Sequence, residues 1–262
     1  MLLTNRVAII TGGARGMGRA IALKFAEEGC SIVIADILQE AANNTVNDIA
    51  KLGRQALFVS CDVSNSQQVQ AMVKQALNKF GKIDILVNDA GTGYYPNPIA
   101  QVSEAEWERT LAVNLKGVFL CCKAVTPYMK EQRYGKIVNI CSISAISPVG
   151  PASYSASKGG LMTLTMDVAM EMARYNICAN AILPGITRTE MIDSTIPPGT
   201  NKEEYYDRMG KELVPMQRVG TPQDIAKVAL FLACDLSDYV TGDRILVGGG
   251  APWRAHLPSA QL

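Results

Sequence analysis

A run of glycines joins the first apolar segment of this chain to its first helical pattern. Residues 6–10 read RVAII, residues 11–18 read TGGARGMG, and a helical pattern then continues to Gly29. A continuously apolar run is typical of a strand buried on both faces, and glycines permit a tight turn. This order of strand, turn and helix predicts a βα unit and favours folds built around a parallel sheet.

The same alternation of short apolar runs and longer helical patterns continues along the chain. Further strands are predicted at 31–36, 56–63, 83–89, 136–142, 177–183 and 244–250, and further helices at about 40–51, 66–80, 103–130, 154–174 and 222–234. The rhythm breaks at about 186–220, which contains Pro197-Pro198-Gly199 and a polar segment with tyrosines. We therefore expect an α/β fold, a single-domain doubly wound parallel sheet over residues 1–262, in which the substrate-loop insertion at 186–220 forms a small helical lid.

Charge and composition disfavour several classes of partner. The chain of 262 residues has 25 basic and 24 acidic side chains spread along its length, so neither nucleic acid nor a membrane is an expected partner. We find no signal-peptide pattern and no run of about 20 apolar residues, which predicts a soluble, cytoplasmic protein. The seven cysteines lack metal-ligand spacing, so we expect buried, reduced thiols and no metal site.

The glycine turn has the chemistry of a phosphate-binding loop. Gly12, Gly16 and Gly18 let backbone N–H groups approach a pyrophosphate at the positive end of a helix, and Arg15 and Met17 belong to the same turn. Many ordinary strand-to-helix turns also need glycine, so the cluster alone does not decide between a binding site and a structural turn.

A carboxylate at the end of the second strand favours the binding site. Asp36 is placed where it can accept hydrogen bonds from both ribose hydroxyls of NAD and repel the 2′-phosphate of NADP. Ile37 and Leu38 offer no cation to that phosphate, although Arg15 could. The alternative for Asp36 is a solvated turn residue. NAD is the expected cofactor.

A tyrosine and a lysine lie one helical turn apart in YSASK (154–158). A phenol has a pKa of about 10, and a nearby ammonium favours the phenolate, so Lys158 is expected to lower the pKa of Tyr154 towards neutrality. The other interpretation is an exposed, inert pair. The preceding strand end CSISAIS (141–147) favours a reactive tyrosine–lysine pair, since Ser142 or Ser144 could donate a hydrogen bond to a substrate oxygen.

In this order the motifs resemble those of the short-chain dehydrogenase/reductase family. The resemblance covers essentially the whole chain through TGGARGMG, CDV (61–63), NDAG (88–91), VNLKG around Asn114, YSASK and LPGITRT (183–189). It implies a Rossmann-type fold, hydride exchange between a nicotinamide and an alcohol or carbonyl, and a homo-oligomer, with a tetramer favoured and a dimer possible.

The resemblance also implies residue roles. Tyr154 would be the acid–base residue, Lys158 would hold the nicotinamide ribose, and Ser142 would position the substrate oxygen. Asn114 would support a lysine-bound water in a proton relay. The remaining implied cofactor contacts are Asp62, Val63, Asn88, Ala90 and Gly91 on the adenosine side, and Pro184, Gly185, Thr187 and Thr189 at the nicotinamide end.

The chain departs from the family pattern at three places. Asp89 stands where the family commonly has asparagine, and we expect it to face structure and not substrate. Ser142 precedes Tyr154 by twelve residues instead of the usual thirteen, a count that Cys141 would satisfy, but a loop shortened by one residue is the favoured interpretation. The VGGG at 247–250 lacks an acidic residue that often precedes the last two glycines.

The function expected from these residues is that of an NAD-dependent oxidoreductase acting on a secondary alcohol or ketone. Sugars, hydroxyacids, acyl thioesters and simple alcohols all remain open as substrates. The alternative is a catalytically silent NAD-binding sensor or scaffold, which would not need the complete set of reactive residues. Tyr94, Tyr95 and Pro96 could line one pocket wall, and His256 is expected to be solvated or at a subunit contact.

Overall fold

Seven strands account for the sheet in the computed structural model, which describes residues 1–93, 97–147 and 149–251. The strands are β1 (Val7–Thr11), β2 (Ser31–Asp36), β3 (Ala56–Ser60), β4 (Ile85–Asn88), β5 (Gly135–Ile140), β6 (Ile177–Pro184) and β7 (Arg244–Val247). Apolar side chains fill both faces of β1 to β6, in agreement with the continuous apolar runs in the sequence.

Helices connect the strands. They are α1 (Gly16–Glu27), α2 (Gln39–Lys51), α3 (Ser66–Phe80), α4 (Glu104–Leu111), α5 (Gly117–Gln132), α6 (Ala152–Met172), α7 (Glu190–Asp193), α8 (Lys202–Leu213) and α9 (Pro222–Ala233). A π-helical segment, Ala112–Lys116, lies between α4 and α5. None of the helices in the described ranges combines the length and the hydrophobicity that crossing a membrane requires.

All strand pairings are parallel, in the order β3-β2-β1-β4-β5-β6-β7. The chain moves outwards from β1 in one direction through β3 and then returns to the other side of β1 with β4. This reversal opens a crevice at the carboxyl ends of β1 and β4, which is where ligands bind in doubly wound sheets. Thr11 pairs with Asn88 across these two strands, so the segments that follow them start side by side.

Two apolar clusters cover the sheet. On one face, α3, α5 and α6 contribute residues such as Met72, Cys121 and Leu161; on the other, α1 and α9 contribute residues such as Phe25 and Ile225. Helices on both faces of the sheet give a three-layer domain, and the predicted α/β fold with a single doubly wound parallel sheet is confirmed. All seven cysteines are buried and free of disulfides, as expected.

The largest differences from the sequence prediction lie at the ends of elements. The expected helix at 103–130 is divided by the π-helical segment, and the strands expected to reach 63, 89, 142 and 250 end at Ser60, Asn88, Ile140 and Val247. Several residues just beyond the strands, such as Cys61 and Val63, are buried, which extends the apolar pattern past the last ladder pair. Residues 186–220 contain the two helices α7 and α8; that this segment acts as a substrate lid remains a prediction.

Candidate active site

The glycine turn is built by close backbone packing. Gly12 and Gly16 have φ of 71° and 55°, a region that favours glycine. A Cβ at Gly12 would lie 2.8 Å from Ala90 N, and a Cβ at Gly18 would overlap the Gly12 carbonyl oxygen. The first turn of α1 and the segment after β4 therefore meet only because these positions lack side chains.

Asp36 is held rigidly at the end of β2. Its Oδ2 accepts a hydrogen bond from Ala14 N–H at 3.0 Å, and its Oδ1 accepts one from Leu38 N–H at 3.0 Å. Within the described ranges its carboxylate forms no ion pair with a lysine or arginine. The carboxylate is thus fixed at the cleft wall by one backbone N–H of the glycine turn and one from the segment after β2.

A cleft of about 260 Å³ runs along the carboxyl ends of the central strands. Ten of the predicted cofactor contacts line it: Gly12, Arg15, Gly16, Met17, Asp36, Asp62, Val63, Ala90, Gly91 and Thr189. The cleft also contains residues that the sequence analysis did not assign to the cofactor, among them Asp89, Arg109, Glu190 and Met191. Glycines at one end of a helix and a fixed carboxylate at the end of β2 match the pyrophosphate and ribose of a dinucleotide.

Seven predicted cofactor contacts are not part of this cleft lining; two of them, Tyr154 and Lys158, belong to the reactive pair described below. Gly18 packs under the turn, and the buried Asn88 donates through Nδ2 to Asn139 Oδ1 at 2.8 Å, which directs its amide into the core. A Cβ at Gly185 would lie 2.7 Å from Gly248 Cα, and the Thr187 hydroxyl donates to Gly185 O. Pro184 is buried as the last residue of β6. Their assignment to the cofactor remains a prediction from the family resemblance.

Ser142, and not Cys141, meets the tyrosine. The hydroxyls of Ser142 and Tyr154 share a hydrogen bond, and Ser142 Oγ also accepts one from Ser144 N–H at 3.1 Å. The Cys141 thiol instead lies 3.1 Å from the carbonyl oxygen of Lys158. The shortened spacing between serine and tyrosine is thus compatible with the expected pairing of hydroxyls.

Lys158 and Tyr154 are both buried in α6, so they are not an exposed surface pair. Lys158 Nζ donates to Ile140 O at 2.8 Å and lies 5.5 Å from the centroid of the Tyr154 ring. Burial lowers the pKa of Lys158, an effect opposed by Cys141 and Asp89.

The pKa of Tyr154 does not follow the sequence expectation. Burial raises the pKa of this phenol above its ordinary value, and the hydrogen bond from Ser142 opposes the increase only in part. The expected fall towards neutrality is therefore not found at this geometry, because the loss of solvation of a phenolate outweighs the stabilising contacts around it.

The π-helical segment positions Asn114. Its Oδ1 accepts from Thr92 N–H at 2.8 Å, while its Nδ2 donates to Thr92 O at 2.9 Å and to Ser157 Oγ at 3.1 Å. A Cβ at Gly91 would lie 3.6 Å from Asn114 Oδ1 and 4.0 Å from Lys158 Nζ. Asn114 therefore ties the segment after β4 to the helix that carries the reactive pair.

Asp89 makes the structural contact expected of it and, in addition, borders the cofactor cleft. It lines the cleft beside the glycine turn and accepts a hydrogen bond from Gly18 N–H. Its place on the cleft lining could have been predicted from the sequence, because Asp89 directly follows β4, at the point where the strand order reverses.

Charged side chains of the 186–220 segment pair mainly with one another. Arg188 Nη2 lies 2.6 Å from Glu203 Oε2, and Lys202 Nζ lies 2.9 Å from Asp193 Oδ2. The buried Tyr206 donates its hydroxyl to Asp193 Oδ1 at 2.8 Å. Two expectations, a pocket wall at 94–96 and a solvated or interfacial His256, fall outside the described residues.

The parallel sheet, the glycine turn and the buried tyrosine–lysine pair define the class of nicotinamide-dependent dehydrogenases with a Rossmann-type fold. A family model described as enoyl-(acyl carrier protein) reductase matches residues 12–252. The chain belongs to the short-chain dehydrogenase/reductase family.

Relatives with assigned reactions cover nearly the whole chain. The (2S)-[(R)-hydroxy(phenyl)methyl]succinyl-CoA dehydrogenase subunit BbsD of Thauera aromatica is 41% identical over 250 residues, covering 95% of this chain and 98% of that protein. The 3-oxoacyl-[acyl-carrier-protein] reductase FabG of Staphylococcus epidermidis is 37% identical over 248 residues, which cover 94% of this chain and 98% of that protein.

The solved structure of 7α-hydroxysteroid dehydrogenase in complex with NADH and 7-oxo glycochenodeoxycholic acid superimposes with a TM-score of 0.88. It is 36% identical to this chain and covers 95% of it and 94% of the dehydrogenase. These relatives are dehydrogenases and reductases of alcohol and keto groups. The present chain is an oxidoreductase of the same kind, acting on CH–OH or carbonyl groups with a nicotinamide cofactor.

Proposed function

We propose that this protein is an NAD-dependent dehydrogenase or reductase that moves a hydride between the nicotinamide and a secondary alcohol or ketone. The observation that carries the proposal is the hydrogen bond between the Ser142 and Tyr154 hydroxyls, one helical turn from Lys158. A substrate oxygen that meets both hydroxyls can exchange a proton with Tyr154 while Ser142 holds it in place.

NAD is the proposed cofactor because of Asp36. Two backbone N–H groups hold its carboxylate at the cleft wall, so the negative charge cannot easily turn away from a 2′-phosphate. Arg15 is exposed on the rim of the same cleft and is the one residue of the glycine turn that could favour NADP. Rigid placement of the acid supports NAD over NADP.

The residues of this chain divide the chemistry among them. When bound, the nicotinamide accepts or supplies the hydride. Tyr154 holds the proton. A phenol is neutral at pH 7, and burial raises the pKa of Tyr154 further, so the residue is in the state that donates to a carbonyl during reduction. In oxidation Tyr154 must become a phenolate, which the hydrogen bond from Ser142 stabilises. Asn114 is a positioning residue that fixes the segment after β4.

The substrate class is proposed at the level of a secondary alcohol or ketone. The names of two relatives specify thioesters, one of coenzyme A and one of an acyl carrier protein. A panel should therefore start with 3-hydroxyacyl and 3-oxoacyl thioesters and continue with sugars, hydroxyacids and simple secondary alcohols.

Two measurements on the wild-type protein test the proposal. NADH formation or consumption, followed at 340 nm across this panel, is expected with at least one member and should be faster with NAD(H) than with NADP(H). NADH binding is measured in parallel by fluorescence. Tight binding without turnover on any member would instead favour an NAD-binding sensor or scaffold, the alternative expected from the sequence.

A homotetramer is the proposed assembly. The exposed side chains of Trp107 and Phe119 border an apolar groove on α4 and α5. Further exposed apolar side chains, Phe231, Leu236 and Tyr239, lie on α9 or within six residues of its end. Exposed apolar side chains in two regions suit a dihedral tetramer, in which each region can pair with its own copy. Light scattering should give four times the monomer mass, and a monomer at micromolar concentration would contradict this assembly.

The proposed location is the cytoplasm. Seven buried cysteines without a disulfide fit a reducing compartment. Fractionation of cells that produce the protein at native levels tests this location.

A further inference from the structure

Asp89 occupies the end of the helix at which a pyrophosphate would bind. Gly18 is the third residue of α1, and its N–H is among the first four of the helix, which have no partner within the helix. This N–H donates to the carboxylate of Asp89. Asp89 reaches it across the crevice from the end of β4, where Thr11 Oγ1 accepts from the Asp89 backbone N–H at 3.2 Å.

One oxygen of this carboxyl is sealed from solvent. Asp89 Oδ1 is buried and forms no hydrogen bond to any residue in the described part of the chain. The other side of the residue lines the cleft together with Gly12 and Gly16. A buried carboxylate oxygen without a donor is costly, so the neutral acid is favoured over the ion. The asparagine usual in the family would carry no charge here.

The charges around Asp89 act in opposite directions. Lys158 on α6 lowers the pKa of this carboxyl, whereas Asp36 at the end of β2 raises it, and burial is the largest cause. The net result raises the pKa of Asp89 to about 7. The other titratable or charged groups of the site are Tyr154 and Cys141 beside Lys158, and Arg15, Asp62, Arg109 and Glu190 along the cleft.

We propose that Asp89 is a proton-binding residue of the cofactor cleft, and that a dinucleotide binds there together with a proton on this carboxyl. The inference rests on the proposed function, since it concerns the same dinucleotide site. A pyrophosphate carries two negative charges and needs the same positive helix end that an ionised Asp89 occupies. Ionisation of Asp89 and binding of the pyrophosphate therefore oppose each other, and this coupling is reciprocal.

The sign and size of the effect follow from this linkage. Below pH 7 Asp89 is largely neutral, and the affinity of the cleft for a dinucleotide is at its maximum. Above pH 7 each further unit of pH weakens dinucleotide binding by up to about tenfold. Between pH 6 and pH 9 the Kd is expected to rise at least about tenfold.

ADP-ribose is the probe of choice, because it carries the pyrophosphate with a constant charge over this range and lacks the nicotinamide. Titration calorimetry of the full-length protein at pH 8, in two buffers of different ionisation enthalpy, counts the protons taken up on binding. We expect an uptake approaching one proton. No uptake would overturn the inference, and this measurement needs no variant.

Asp89→Asn tests the assignment to this residue. The substitution keeps the shape and an acceptor for Gly18 N–H, so the Kd for ADP-ribose should stay within about threefold from pH 6 to pH 9 and proton uptake should disappear. Asp48→Asn is the matched control, since Asp48 is a surface carboxylate paired with Arg19 and Lys51 outside the cleft. The Asp48→Asn variant should keep the wild-type dependence of the ADP-ribose Kd on pH.

The possible outcomes separate the two proposals. If Asp89→Asn keeps the wild-type pH dependence, the role of Asp89 is refuted while the dinucleotide site stands. If neither ADP-ribose nor NADH binds at any pH from 6 to 9, the dinucleotide site itself is refuted, and the inference is overturned with it.

Discussion

Replacement of Gly18 by alanine tests the packing that forms the cofactor cleft. A Cβ at this position would lie 2.8 Å from the carbonyl carbon of Gly12 and 2.7 Å from Asp89 Oδ2, and it would overlap the Gly12 carbonyl oxygen. Carbon atoms in contact are normally about 3.5–4.0 Å apart, so the first turn of α1 must move away from the glycine turn by roughly 0.7 Å or more.

The cost of this movement can be stated from overpacked sites in other proteins. Extra methyl groups in rigid surroundings cost about 1–3 kcal/mol, and 1 kcal/mol corresponds to roughly 2–4 °C in Tm for a chain of this size. Gly18→Ala should therefore lower the Tm by several degrees. The displaced N–H groups should also weaken ADP-ribose binding at least about tenfold.

Gly159→Ala is the matched control. Gly159 lies inside α6, and a Cβ there would meet no atom within 4 Å. Alanine in a helix interior is about 0.5–1 kcal/mol more favourable than glycine, so this variant should be at least as stable as the wild type. Differential scanning calorimetry and ADP-ribose titration measure both effects. Equal Tm and equal affinity in Gly18→Ala and the wild type would refute the packing described for the cleft.

Three further substitutions probe the cofactor, the substrate and the stability of the fold. Asp36→Asn removes the charge that repels a 2′-phosphate, so the ratio of NADPH to NADH affinity in fluorescence titrations should increase at least about tenfold; an unchanged ratio would contradict the role of Asp36. Ser142→Ala should lower kcat/KM by about 100-fold or more without changing NADH affinity, and near-normal kcat/KM would exclude Ser142 as the hydroxyl that positions substrate. Asp224→Asn removes half of the capping box with Thr221 and should cost about 1 kcal/mol of unfolding free energy at pH 7. Because the hydrogen bond from Arg218 lowers the pKa of Asp224, this stabilisation is complete above about pH 4 and is lost progressively as the pH falls below 4. The gap between the urea unfolding curves of the two proteins should therefore narrow steadily as the pH falls below 4; a constant gap down to the lowest pH at which both proteins fold would contradict the assignment.

Strand positions were predictable because the sheet is buried on both faces. Continuous apolar runs such as 31–36 leave few alternatives to a central parallel strand, and that strand has the predicted bounds. The glycine turn was predictable because only glycine allows the backbone to pack this closely at these positions. Asp36 was predictable from its position at the end of the second strand, where an acid meets the ribose of a dinucleotide.

The π-helical segment at Ala112–Lys116 could not be found from periodicity. One wider turn inside a long helical pattern changes the direction of the following side chains but leaves the composition of the helix unchanged. Its consequence is nevertheless large, because Asn114 lies in this segment and its amide bonds to both Thr92 and Ser157.

The electrostatic state of the site also depends on tertiary packing. The spacing of Tyr154 and Lys158 predicts that they share a helix face, but not that both side chains are buried. Burial reverses the direction expected for the pKa of Tyr154. Asp89 is a similar case, since the cost of its sealed oxygen depends on groups from β2, α1 and α6 that are distant in the sequence.

The most direct test of the proposed chemistry is Tyr154→Phe, measured for both NADH binding and turnover. Loss of the phenolic hydroxyl removes the proton-holding group and leaves the cleft lining intact, so we expect NADH affinity within about threefold of the wild type and a kcat reduced by at least about 1,000-fold. Tyr128→Phe, an exposed tyrosine on α5, should retain the wild-type kcat. A near-normal kcat in Tyr154→Phe would contradict the assignment of Tyr154 as the acid–base residue.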